Sequence, residues 1–192
     1  MRVLFFLISL SGLLVGCQSP DVSGSCDDPS RASSPSCGDS LTQLREQLAA
    51  TYQQAINAST GARRQALRNE QQLWNTEPVR CESRQPIECQ QHAYLKRIAQ
   101  LNIQYGLIDS SAEAIFTCGE GGAMQYRAKF YQTALPAMTL SQGGQWHYLY
   151  QVRAASGSRY EGNSTVFWEH QGEATISLPV AAQPFVCQRV KK

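Results

Sequence analysis

The apolar residues of this chain change their repeat near residue 112, and that change constrains the fold more than any single motif. Before it they recur at helical spacing. Leu41, Leu44, Leu48, Tyr52 and Ile56 share one helical face, with Asp39 or Ser40 placed to cap the start and Thr60-Gly61 to break the end. A second helix carries Ala62, Ala66, Leu67, Leu73 and Trp74 and stops at Glu77-Pro78, because proline pushes the residue before it out of the helical region. A third is predicted from about Glu88 to Tyr105 on Leu95, Ile98, Leu101 and Tyr105, ended by Gly106.

From Ala114 onward the repeat is two. Met124, Tyr126, Ala128 and Phe130 alternate with Gln125, Arg127, Lys129 and Tyr131; Trp146, Tyr148, Tyr150 and Val152 alternate likewise, as do Ala174, Ile176 and Leu178. Glycine turns at Gly119 to Gly122, Gly143-Gly144, Gly162-Asn163 and Gly172 separate these runs. Short strands at such regular spacing predict a small antiparallel barrel or sandwich. The fold class expected is α+β by separate domains: a small disulfide-stapled helical bundle over 39–108, its staples reaching back to Cys26, and a β domain over 112–192. The boundary falls between Asp109 and Ala112.

The N-terminus sets the compartment. Met1-Arg2 precedes an apolar run, Val3 to Val15, too short to span a bilayer and of the length of a secretory signal peptide. It ends in Leu14-Val15-Gly16-Cys17, which resembles the lipobox of bacterial lipoproteins. The resemblance implies a signal peptide over 1–16, cleavage before Cys17, and acylation of Cys17 as an anchor in the lipid bilayer. Two or more acyl chains hold a protein on a membrane, at about 0.8 kcal/mol per buried methylene. Gln18 in place of aspartate implies the outer membrane, facing the periplasm. Residues 17–38, rich in Ser, Pro, Asp and Gly, read as the lipidated cysteine and its tether.

Of seven cysteines, six remain beside Cys17: Cys26, Cys37, Cys81, Cys89, Cys118 and Cys187, an even number that suits an oxidising compartment. Zinc is the competing reading, but no CxxC pair occurs and His92, His147 and His170 stand at no ligand-like spacing, so no metal is expected. A bridge between Cys118 and Cys187 would close nearly the whole β domain, worth roughly 4 kcal/mol by the chain-entropy argument. Cys26 with Cys37 and Cys81 with Cys89 are then the simplest local pairs. The mature chain is close to neutral, without a polybasic block, which argues against nucleic acid. No cofactor motif occurs, and the oligomeric state is left open between monomer and dimer.

The second half resembles a known family. Phe116-Thr117-Cys118, Ala155-Ser156-Gly157-Ser158-Arg159-Tyr160, Phe167-Trp168, Gly172-Glu173-Ala174 and Phe185-Val186-Cys187 follow in the order of the membrane-bound inhibitors of c-type lysozyme, the MliC and PliC family. The resemblance implies an eight-stranded antiparallel barrel with a disulfide joining its ends. It also implies a function: inhibition of c-type lysozyme, a protein partner, by a loop inserted into the active-site cleft. In the family a serine of the Ser-Gly-x-x-Tyr element and a lysine after Phe-Trp approach the catalytic carboxylates. By position these are Ser156 and His170, and the lysine is replaced here, since Phe167-Trp168-Glu169-His170-Gln171-Gly172 stands where Phe-Trp-x-Lys-Gly is usual. An imidazole pairs with a carboxylate only when protonated, so affinity is expected to rise as pH falls through the neutral range. Gly157, Arg159 and Tyr160 complete the expected contact set, Arg159 as an alternative cation and Tyr160, with Trp168, as an aromatic anchor. Of Phe167 and Trp168 one must face the core, and Trp168 is taken as that ring.

Counted from Ala114, the barrel half holds seven Lys/Arg against four Asp/Glu, so long-range attraction to a basic lysozyme is not expected and recognition must be local. A hydrolase is rejected: Ser156 lacks a Gly-x-Ser-x-Gly elbow, and no His and acid flank it in a nucleophile arrangement. The alternative function is a non-inhibitory envelope scaffold or cell-wall-binding lipoprotein. The first half resembles the LprI-type N-terminal module in Leu48, Tyr52 and Ala55, in Arg64-Gln65-Ala66-Leu67-Arg68 with Gln71 and Trp74, and in the following Cys81 and Cys89. That resemblance implies a second inhibitory head or a spacer that lifts the barrel off the lipid.

Overall fold

The computed structural model describes residues 35–76, 81 and 86–191. The signal peptide, Cys17, residues 18–34 of the tether and the Cys26–Cys37 pairing lie outside the described residues, while residues 35–38 of the tether belong to the first helix. Three helices come first: α1 (Pro35–Asn57), α2 (Gly61–Thr76) and α3 (Pro86–Gln104). α1 and α3 each begin on proline, a few residues earlier than Asp39 or Ser40 and Glu88, where the sequence places their starts. Proline is pre-set for the first helical turn, where its missing N–H costs nothing.

Leu48, Ala55, Leu67, Ile98, Leu101 and Tyr105 form the buried centre of this bundle. A disulfide between Cys81 and Cys89 ties the α2–α3 connection to the first turn of α3. The apolar stripe of α2 is not the expected one. Leu73 is 61% exposed, and the buried positions are Leu67 and Gln71, with Trp74 half-buried beside them. A glutamine sits in that stripe because its Oε1 accepts a hydrogen bond from Arg97 Nε on α3 at 3.1 Å. Trp74 stacks edge-on against Tyr94, ring centroids 5.2 Å apart.

Eight strands follow: β1 (Ala112–Cys118), β2 (Met124–Tyr131), β3 (Ala137–Gln142), β4 (Gln145–Val152), β5 (Ser158–Gly162), β6 (Thr165–His170), β7 (Glu173–Ser177) and β8 (Phe185–Arg189). Each pairs antiparallel with the next, and β8 returns to β1 to close a barrel. Closure removes every sheet edge that would otherwise expose unpaired backbone groups. Cys118 and Cys187 lie directly opposite one another across the closing seam and are joined by a disulfide. Phe116, Tyr126, Met138, Leu140, Leu149, Phe167 and Ile176 fill the interior, as side chains do in a barrel of this size.

α3 has two buried faces. Ile98 and Leu101 point into the helical core, while Ala99, flanked by Leu95 and Ile103, packs on Leu135, Ala137, Tyr148 and Tyr150 of the barrel. This contact explains two features of the sequence. Ala137 to Leu140 are all buried, because β3 has the barrel interior on one side and helix on the other. In β4 the regular aromatic positions Tyr148 and Tyr150 face outward onto α3, and the inward residue is Leu149.

Candidate functional site

The loop between β4 and β5, residues 153–157, and the turn between β6 and β7, Gln171-Gly172, open at the same end of the barrel. β5 and β6 run antiparallel with Ser158 opposite Glu169 and Arg159 opposite Trp168, so the residue before Ser158 meets the residue after Glu169. Gly157 is fitted to that meeting. Its φ is +67°, and a Cβ on it would stand 2.1 Å from the Glu169 carbonyl oxygen and 3.1 Å from the His170 Cβ. Only glycine allows this approach of the loop to the strand. The loop that carries Ser156 is thereby brought to the end of β6 that carries His170, and both residues are exposed.

Trp168 and Glu169 hold the lip. The Trp168 indole Nε1 donates to the Ser156 carbonyl oxygen at 2.9 Å. Glu169 Oε1 accepts the Gly172 backbone N–H at 2.8 Å, closing the β6–β7 turn on itself. Gln171 and Gly172 both have positive φ, 53° and 87°, the backbone of a tight hairpin turn whose twist matches its strands. The lip is thus held by its own hydrogen bonds.

Of the aromatic pair, Phe167 is fully buried and Trp168 is 40% exposed, the reverse of the sequence expectation. The register explains it. Phe167 lies opposite Tyr160, and both rings face inward against Phe130. Tyr160 is accordingly 8% exposed, and burial raises the pKa of its phenol. Its ring shapes the wall beneath the lip and is not presented at the surface. Arg159 lies outside, where its guanidinium pairs with the carboxylate of Glu161 at 2.7 Å. That charge is partly engaged within β5.

Two contributions were not legible as site features. The roles of Trp168 and Glu169 as supports emerge only from the register, although a glutamate three residues before a turn glycine is the available signal. The second is a groove of about 850 Å³ beside the β6–β7 turn, at the barrel seam, lined by Glu113, Gln171, Arg189 and Lys191. Among the described residues no group of three or more His, Cys, Asp or Glu is arranged to hold a metal ion. The lip offers a hydroxyl, an imidazole and an indole face, which suits contact with a groove in another molecule.

Residues 116–183 match the family described as membrane-bound lysozyme-inhibitor of c-type lysozyme. Among curated proteins, the lipoprotein LprI of Mycobacterium tuberculosis, in strains H37Rv and CDC 1551, is 30% identical over 151 residues, covering 77% of this chain and 73% of LprI. LprI of Mycobacterium bovis matches with the same identity and coverage. Among solved structures, Pseudomonas aeruginosa MliC, crystallised in complex with hen egg white lysozyme, aligns with 43% of this chain and 88% of its own, at 15% identity and a TM-score of 0.36.

Proposed function

Since the chain belongs to the family of the lipoprotein LprI, with a C-terminal segment of the membrane-bound lysozyme-inhibitor family, we propose that it is a non-enzymatic, lipid-anchored inhibitor of c-type lysozyme that protects peptidoglycan in the cell envelope. The lipobox at Cys17 supplies the anchor, and Gln18 directs it to the outer membrane, facing the periplasm. The barrel lip enters the active-site cleft of the lysozyme. The observation that carries this reading is that the loop bearing Ser156 and the strand end bearing His170 meet at one exposed end of the barrel, held by the Trp168 hydrogen bond.

A lysozyme cleft holds one carboxyl group with raised pKa and a second that stays ionised. The Ser156 hydroxyl donates to one, and the His170 imidazolium pairs with the other. Each charge-assisted bond contributes only about 1.5 to 3 kcal/mol, whereas nanomolar affinity needs about 12. The remainder comes from the exposed Trp168 face and the backbone of the two turns, whose rigidity spares ordering entropy on docking. Tyr160 contributes from below by fixing the strand.

The test is a cell-wall clearing assay in which the purified protein is titrated into hen lysozyme. Clearing should stop at near-stoichiometric protein, and Ser156→Tyr, which puts a bulky ring on the lip, should abolish the effect. Undiminished clearing at micromolar excess of the wild type would defeat the proposal.

A further inference from the structure

The groove of about 850 Å³ at the barrel seam adjoins the lip, because Gln171 and Gly172 of the β6–β7 turn form one of its walls. The start of β1, with Glu113 and Ile115, forms the wall across β8, and Arg189, Val190 and Lys191 run between the two. Its volume falls in the range of roughly 300 to 1,000 Å³ usual for a binding site. The strands of a closed barrel are staggered, and here β1 outruns β8. The ladder between them ends with Phe116 opposite Arg189, and one further bond joins the Val190 N–H to the Ile115 carbonyl at 2.8 Å. Alternate residues of a strand turn their main-chain groups to the same side. Glu113 therefore directs its N–H and C=O toward the seam as Ile115 does, and β8 stops short of it.

Charge along the groove is uneven. The Glu113 carboxylate is taken by β2, its Oε1 by Arg127 and its Oε2 by Lys129 Nζ at 3.8 Å. Glu173 accepts from Gln188 Nε2 at 2.8 Å, and Glu169 holds the Gly172 N–H. Arg189 and Lys191, by contrast, are exposed and make no ion pair among the described residues. Two such cations on an open surface would be ordinary solvated charge. These two border a groove that is continuous with the lip, next to acids already engaged.

We propose, on the premise that the lip enters a lysozyme cleft, that this groove receives the adjoining rim of that cleft as an extended segment bearing an acidic side chain. A body inserted into a cleft meets the cleft wall along its flank, and the groove is the flank beside the β6–β7 turn. The segment lies along the start of β1 and exchanges main-chain hydrogen bonds with Glu113, as a strand added to a sheet does. Arg189 and Lys191 hold its carboxylate through charge-assisted bonds, the strong class of hydrogen bond. The groove thereby makes the inhibitor selective among lysozymes: an acidic rim segment is held, and a basic one is refused by like charge.

The test is calorimetric titration of hen lysozyme with the purified protein and two charge-reversed variants, Arg189→Glu in the groove and Arg68→Glu at an exposed position of α2. Both change the net charge equally, so the second carries any long-range effect on a basic partner. Arg189→Glu should raise the Kd about tenfold or more relative to Arg68→Glu. Should Arg189→Glu lower the Tm, Lys191→Glu, beyond the end of the last strand, decides in its place, with a rise in Kd expected in the same direction. A Kd in the groove variant equal to that of Arg68→Glu would overturn the groove contact and leave insertion of the lip standing. No binding by the wild type would overturn the lysozyme reading and the groove contact together.

Discussion

The Trp168 indole nitrogen lies 2.9 Å from the Ser156 carbonyl oxygen, so the outward ring of β6 holds the loop that carries the serine. Trp168→Phe keeps a ring on the surface and removes this N–H. One hydrogen bond of this kind is worth about 1 kcal/mol, so affinity for lysozyme should fall about fivefold with little change in Tm. Calorimetric titration measures it, and an unaltered Kd would show that the bond does not order the loop.

His170→Lys places a permanent cation where the imidazole stands. The variant should bind lysozyme about tenfold more tightly than wild type, since an ammonium offers a permanent charge to the cleft carboxylates. An equal Kd by calorimetric titration would remove His170 from the contact.

The two periods in the sequence mapped onto helices and strands because each element buries one face, and burial is what periodicity records. The errors arose where a second contact intervened. Gln71 displaced Leu73 from the buried stripe of α2 because Arg97 needed an acceptor. Tyr148 and Tyr150 marked a helix-docking face on the outside of β4, which alternation alone cannot distinguish from the barrel interior. Phe167 and Trp168 alternate whichever way β6 faces, and only the pairing of Phe167 with Tyr160 settles the direction. That Ser156 and His170 share one end of the barrel was legible only through family likeness, since fourteen positions of chain separate them and the pairing of β5 with β6 brings their segments together.

The two disulfides among the described residues differ in what they enclose. Cys118–Cys187 spans 69 residues and Cys81–Cys89 spans 8. By loop-closure entropy, replacing the first pair with alanines should cost about 4 kcal/mol and replacing the second about 2. Denaturant unfolding of the two double variants checks the order, and equal losses would contradict it.

Burial pushes the Tyr150 phenol from 10.0 up to about 12, opposed by Arg97 and reinforced by Tyr148. Folding therefore favours the protonated phenol. Its contribution is fully present below pH 10, the unfolded value, and is lost as pH rises toward 12. Stability should fall by about 2 to 3 kcal/mol across that interval from this group alone. Tyr150→Phe should flatten the decline in a urea-midpoint series taken over the same pH range, and an equally steep decline would place the alkaline sensitivity elsewhere.

Occupancy of the lysozyme cleft by the Ser156–His170 lip is tested most directly by competition. Hen lysozyme is titrated with the protein in the absence and presence of a chitooligosaccharide that fills the cleft, and the Kd is read by calorimetry. The apparent Kd should rise in proportion to the free oligosaccharide, as it must when two ligands exclude one another. An unchanged Kd at saturating oligosaccharide would contradict insertion, even if the two proteins bind.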